Sequence, residues 1–322
     1  MPFAAIYVPD FPVEAIVRAE PELREYPVAV VEGTPPLVHV VAVNETAAQA
    51  GVESGMTKLQ AESMINGLCG AGALPRESIR QRSAEREAAA HAALLDCACG
   101  FSPRVEDTAA DTVVLDMAGL DSIFGPPAKL ARDIARRCSG LGLEANVAVA
   151  SNADTAVLAA RGFAGVTVIA EGKEAERLGE LSVEVLLAAD WGSRVASNDK
   201  SEIATRQSEI LDTLERWGVR NLWALAALPE VAIVERLGQQ GLCLQKLARG
   251  QMRRPLVVAE PPLRFEEAAE LEYPVDLLEP LVFLLNRMLE QLCARLAARA
   301  LATSELKLRL ELDLQRRLKI HH

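Results

Sequence analysis

Short Val- and Ala-rich runs alternate with longer stretches of helical spacing through the first half of the chain, which predicts a mixed α+β fold. Phe3 to Val8 is short and apolar. Tyr26 to Glu32 and Leu37 to Val43 are Val-rich runs around Gly33, Thr34, Pro35 and Pro36, and they read as strands joined by a tight turn. Ser83 to Cys99 has a charged start, an Ala-rich middle and Leu94-Leu95, the spacing of a helix with one buried face. A hairpin over Arg104 to Thr108 and Thr112 to Met117 follows, then a helix from Pro126 to Cys138 with Pro in its first turn, and a strand from Ala145 to Ala150. Strand, helix, two strands, helix and strand in that order predict a ferredoxin-like unit, with residues 11 to 82 inserted after its first strand.

Beyond Ile169 the pattern turns helical and Leu-rich, and Asp190 to Ser201 is polar enough to be a connector. Leu211, Leu214 and Trp217, then Leu222, Leu225 and Leu228, carry helical spacing, with Gly218 placed to end the first run and Pro229 to follow the second. Trp217 and Trp223, set among Leu residues, are expected in the core. Arg264 to Tyr273 reads as a strand, Leu277 to Ala297 as a helix, and Glu305 to Leu312 alternates strictly as a strand should. The exposed sheet edge this leaves gives the expectation that the natural protein continues past the last residue. His321 and His322 read as a purification-tag remnant.

Half of the 322 residues are apolar, enough for more than one core. No run of about 18 uncharged apolar residues exists, so no membrane partner is expected. Cys69, Cys97, Cys99, Cys138, Cys243 and Cys293 are scattered without zinc spacing or His partners; they read as buried free thiols in a reducing cytoplasm. His39 and His91 lack a third ligand, and neither a metal nor a cofactor is expected. A formal charge of -11 argues against a tight, non-specific grip on nucleic acid, because that grip comes from Lys and Arg displacing counterions. Lys246, Arg249, Arg253 and Arg254 are the densest basic cluster and the candidate phosphate contacts; a solvated helix end is an equal reading. Arg132, Arg136 and Arg137 read as an exposed helix face.

Three segments carry a family resemblance. Pro21-Glu22-Leu23-Arg24-Glu25-Tyr26-Pro27-Val28-Ala29-Val30-Val31 resembles the lead into the first fingers strand of the Y-family translesion DNA polymerases, and Ala50-Gly51-Val52-Glu53-Ser54-Gly55-Met56 resembles that family's Gly-Met turn. The hairpin from Ala109 to Asp116 is similar to its second catalytic segment. The resemblance implies an α+β multidomain right hand. Its parts would be a ferredoxin-like palm at residues 1–10 and 83–170, fingers at 11–82, a helical thumb and linker at 171–257, and a partial little finger at 258–322.

Two-metal phosphoryl transfer needs convergent carboxylates, because two divalent ions about 4 Å apart must be held against the triphosphate. Matched to the family, the first metal-binding segment places Tyr7 at an Asp position with Pro9 two residues on, and the hairpin places Asp111 and Thr112 at the Asp-Glu pair. Only Asp111 remains a carboxylate, and a lone carboxylate at a hairpin turn is more often a solvated or amide-capping residue than a metal ligand. Asp10 would need a bulge to reach the site. The Tyr and Arg that the family sets over the triphosphate fall on Glu45 and Ala48, and Ser151 to Gly165 contains no Lys where the family has one. Thr205-Arg206-Gln207 stands where active members carry a Gly-x-Gly hairpin.

Leu228 to Gly250 resembles the ImuB-type branch, whose members are catalytically inactive. That branch implies a non-catalytic adaptor in DNA-damage (SOS) mutagenesis. Its partners would be weakly held DNA, a sliding clamp, an error-prone replicative-type polymerase and a RecA-like accessory protein, met mostly through a region beyond this sequence. The alternative is an active error-prone polymerase using Asp10, Asp111 and Asp116, although an odd step along a strand would turn Asp116 away from Asp111.

Overall fold

A computed structural model describes residues 2–69, 78–186, 209–269, 275 and 277–310. The strands are β1 (Phe3–Tyr7), β2 (Ala29–Glu32), β3 (His39–Val43), β4 (Ile79–Gln81), β5 (Val105–Ala109), β6 (Thr112–Asp116), β7 (Asn146–Ala150) and β8 (Val166–Val168). The helices used below are α1 (Phe11–Ala19), α2 (Glu45–Gln49), α3 (Lys58–Cys69), α4 (Ala84–Cys99), α5 (Asp121–Phe124), α6 (Pro127–Gly140), α7 (Ala153–Gly162), α8 (Glu174–Leu178), α9 (Leu222–Ala227), α10 (Glu230–Ala248) and α11 (Leu278–Ala298).

The main sheet has the order β5-β6-β1-β7-β8, with β1 antiparallel to both neighbours. β1, α4, β5, β6, α6 and β7 follow the ferredoxin-like order, and β8 adds a parallel edge strand. Strand alternation divides β1 between two cores. Ala4 and Ile6 pack with Leu94, Leu130 and Ile134 of α4 and α6, whereas Ala5 packs with Ala156 and Val157 of α7 on the other face. A strand covered on both sides reads as continuously apolar, as Phe3 to Val8 does. Full burial of Leu130, Ile134 and Leu158 is worth roughly 1.5–3 kcal/mol each.

Between β1 and α4 lies a smaller unit built on the sheet β3-β2-β4. Alternation works here too: Val28 and Val30 face α1 through Val13, Ile16 and Val17, while Ala29 and Val31 face Ala61 and Ile65 of α3. The third unit shares the α7 core through Leu178, Leu214, Leu222, Leu225, Ile233 and Leu247. Its helix at 209–216 ends at Gly218 (φ 75°), where Gly218 N–H donates to Glu215 O and Val219 N–H to Leu214 O, a Schellman stop. α10 is two helices meeting at Gly238 (φ 65°, ψ -159°).

Three expectations need correction. Trp217 is 36 % and Trp223 62 % exposed, because Leu222 and Leu225 turn the inner face of α9 to the core and leave Trp223 on the outer one. Residues 264–269 and 305–310 form no strand, and Leu306, Leu308 and Leu310 stand exposed; alternation makes a strand only where a neighbour supplies a ladder. Cys97 and Cys138 are buried, but Cys293 is exposed. The connector from Asp190 to Ser201, Thr205-Arg206-Gln207 and the last two positions of the Glu305 to Leu312 run lie outside the described residues.

Candidate functional site: the tips of the two central strands

The end of β1 and the start of β6 meet in register, Tyr7 opposite Thr112. Val8 N–H donates to Asp111 O at 2.9 Å, which fixes the hairpin turn against the outgoing β1 chain. Tyr7, Pro9, Asp111 and Thr112 therefore lie at or beside one end of the sheet. Asp10 reaches the same neighbourhood by a route other than a bulge. It takes a left-handed conformation (φ 46°, ψ 43°) as the N-cap of α1, and its carbonyl accepts from Val13 N–H at 2.8 Å and Glu14 N–H at 3.2 Å. The residue is exposed as a whole, yet the protein wall beside its carboxyl removes enough water to raise its pKa.

A sixth side chain completes the group. Arg161, in the last turn of α7, donates from Nη2 to Asp111 Oδ1 and to Thr112 Oγ1, both at 2.8 Å. Thr112 Oγ1 donates to Asp111 Oδ1 at 2.7 Å. The guanidinium carbon sits 4.6 Å from the centroid of the Tyr7 ring, a cation–π distance. The Arg161 side chain is 6 % exposed, so its charge is neutralised inside the protein and not by water. Burial pushes the Tyr7 phenol up; Arg161 opposes this, and the charges of Asp111 and Asp10 add to it.

Chemically this is a closed unit of one cation, one carboxylate, a hydroxyl and an aromatic face. It does not fit a pair of divalent ions, because Tyr7, Pro9 and Thr112 offer no carboxylate and the Asp111 oxygen facing them already holds a guanidinium. Among the described residues no group of three or more His, Cys, Asp and Glu side chains is arranged to hold a metal ion. The trio Asp10, Asp111 and Asp116 is not assembled. Asp116 pairs with Phe3 at the far end of β1, four residues and about 13 Å from Thr112 at the strand rise. There it accepts from Ala118 N–H at 2.9 Å and pairs with Arg104 at 2.8 Å.

The other candidates fall elsewhere. Glu45 and Ala48 are exposed on α2, where Gln49 donates to Glu45 at 3.2 Å. The basic cluster divides: Lys246 and Arg253 are exposed, whereas Arg249 pairs with Glu230 at 2.5 Å. Arg254 forks onto Glu106 at 2.5 and 2.6 Å and reaches Asp154 at 2.8 Å. Arg161 was missed by sequence reasoning, which looked for a Lys in Ser151 to Gly165. Its signal was present, since Arg161 is the sole basic residue of that apolar segment.

Comparison with known proteins agrees with this architecture. Residues 6–161, from β1 to the site arginine, match the impB/mucB/samB family. DNA polymerase IV of Dehalococcoides mccartyi (strain CBDB1) is 29% identical over 248 residues, covering 76% of this chain and 56% of that protein. Protein ImuB of Caulobacter vibrioides (strain NA1000 / CB15N) is 25% identical over 220 residues, covering 67% of this chain and 44% of that protein. The chain thus spans about half the length of the curated relatives it matches. The insertion ternary complex of Dbh DNA polymerase superposes with a TM-score of 0.60 over 80% of this chain and 69% of that one, at 18% identity, a likeness of fold.

The fold is the polymerase right hand of palm, fingers, helical thumb and partial little finger. Over residues 6–161 the chain is similar to the impB/mucB/samB family, and the relatives it resembles are named DNA polymerase IV and ImuB. No helix among the described residues is long and apolar enough to cross a membrane.

Proposed function

We propose that this chain is a non-catalytic, polymerase-like adaptor in bacterial DNA-damage-induced translesion synthesis, of the ImuB type. The observation that carries the reading is the Arg161 guanidinium on Asp111: a fixed cation occupies the carboxylate that two-metal chemistry would need. The similarity to a protein named ImuB supports the same reading. We assign residues 1–10 and 83–170 to the palm, 11–82 to the fingers, 171–257 to the thumb and linker, and 258–322 to a partial little finger. DNA is held weakly, with Lys246 and Arg253 as the exposed contacts and Arg249 and Arg254 turned to internal pairs. A sliding clamp, an error-prone replicative-type polymerase and a RecA-like protein are the proposed assembly partners, and the cytoplasm is the proposed compartment.

The relative named DNA polymerase IV favours a second reading, an active polymerase. Primer extension on undamaged and lesion-bearing templates with Mg²⁺ or Mn²⁺ separates the two. The adaptor reading expects no extended product. Extension that disappears on Asp111→Ala would establish the polymerase.

A further inference from the structure

Residues 254–269 and α11 together act as a strap tied to the rest of the molecule at three stations. At the first, the Arg254 fork grips Glu106, whose Oε2 also accepts from Val257 N–H at 2.8 Å, and Ala259 N–H donates to Val105 O at 2.7 Å. The strap thereby covers the edge strand β5. At the second, Glu267, with a side chain 2 % exposed, accepts both Nη atoms of Arg18 at 3.0 and 2.7 Å and Arg295 Nη1 at 3.2 Å. Arg295 is itself buried and donates from Nε to Asp96 at 2.8 Å and from Nη1 to Glu266 O at 2.7 Å.

The third station is α11 itself. Arg287 donates to Ala19 O at 2.7 Å and Gln291 to Arg18 O at 2.7 Å, so the strap supplies donors that the last carbonyls of α1 lack within their own helix. Arg137 donates to Ala298 O at 2.9 Å, and a Cβ at Gly100 would lie 2.1 Å from that same oxygen. Only glycine allows so close an approach.

We propose that the strap is a lock with Glu267 as its keystone, holding α11, the palm helices α4 and α6, and the fingers helix α1 as one body. The cluster joins Arg18, Arg295 and Arg299 to Glu267 and Asp96. Without the Glu267 charge, two buried guanidinium groups face each other across a single neutral side chain, and breaking such a pair is costly because it leaves charge uncompensated. Release exposes the α4 and α6 surface around Asp96, Gly100 and Arg137. The lock does not depend on whether the strand tips are catalytic.

Hydrogen exchange followed by mass spectrometry on the whole chain tests it. Glu267→Gln is expected to speed exchange in α11 and the end of α4 by tenfold or more, leaving residues 240–248 of α10 unchanged. Arg287→Ala, which leaves the buried cluster intact, is expected to speed exchange in the first half of α11 alone. If Glu267→Gln accelerates every segment alike, the Arg287→Ala result decides: local acceleration upholds the lock. Unchanged α11 exchange in both variants overturns it, as does uniform acceleration in the first with no effect in the second.

Discussion

Arg161 links three elements that are far apart in sequence, with β1 offering the Tyr7 ring, β6 the Thr112 hydroxyl and the intervening turn the Asp111 carboxylate. Breaking a buried pair removes more than the pair contributes, because the remaining charge loses its partner. Arg161→Ala is expected to lower stability by about 2–4 kcal/mol in urea unfolding. Arg161→Lys should recover little of that, since an ammonium lacks the planar fork and the stacking face. Tyr7→Phe keeps the ring under the cation and should fall within about 0.5 kcal/mol of the parent. That Tyr7, Pro9 and Thr112 carry no carboxylate was legible in the sequence. The Arg161 contact was not, because no local pattern tells which strand tip the last turn of a helix will reach.

Glu106 supports a pH prediction at the same scale. Burial alone would raise its pKa, but hydrogen bonds from Arg254, Val257 N–H and Thr108 outweigh that and hold it below the usual value. With the folded pKa depressed, the stabilisation is complete above the ordinary Glu range of about 4.3 and is lost as pH falls through the folded value. Glu106→Gln should therefore lower stability at pH 7 and flatten the acid limb of a stability-against-pH curve. An unchanged limb would mean that the Arg254 fork contributes nothing to acid sensitivity.

Elements were read most accurately where both a periodic face and a terminal signal were present. Ser83 ahead of α4 is such a signal: its Oγ accepts from Arg86 N–H at 3.3 Å, and the helix runs Ala84–Cys99 as the spacing predicts. Ser83→Ala should cost about 1 kcal/mol, measurable as a shift in the thermal midpoint. α1 was not legible, because Asp10-Phe11-Pro12 looks like the end of a strand turn and the left-handed Asp10 that starts the helix has no side-chain signature. The strands expected at 264–273 and 305–312 failed, as far as those residues are described, for a different reason. Alternation specifies which face a strand buries, but a ladder partner decides whether there is a strand at all.

At the scale of the whole molecule, the order of strands and helices was sufficient to foresee the ferredoxin-like sheet, because the βαββαβ sequence admits few sheet orders, whereas the right hand followed from the family resemblance. How residues 254–269 and α11 close onto α1 and α4 was not foreseen, since Arg18, Asp96, Glu267 and Arg295 lie in four separate segments. Global charge bears on DNA binding. At about two phosphate contacts, affinity should fall roughly tenfold between 50 and 200 mM salt, by the slope of about 0.9 per contact. Fluorescence anisotropy of primer-template DNA checks this, and the Lys246→Ala, Arg253→Ala double variant should remove most of the salt dependence.

The proposed adaptor carries the Arg161 guanidinium where polymerase chemistry would need divalent ions, and Mn²⁺ binding followed by electron paramagnetic resonance tests this most directly. Mn²⁺ is expected to stay free in the presence of the protein up to about millimolar concentration, the affinity range of weak carboxylate sites. Tight uptake of Mn²⁺ by the unmodified chain, abolished by Asp111→Ala, would contradict it.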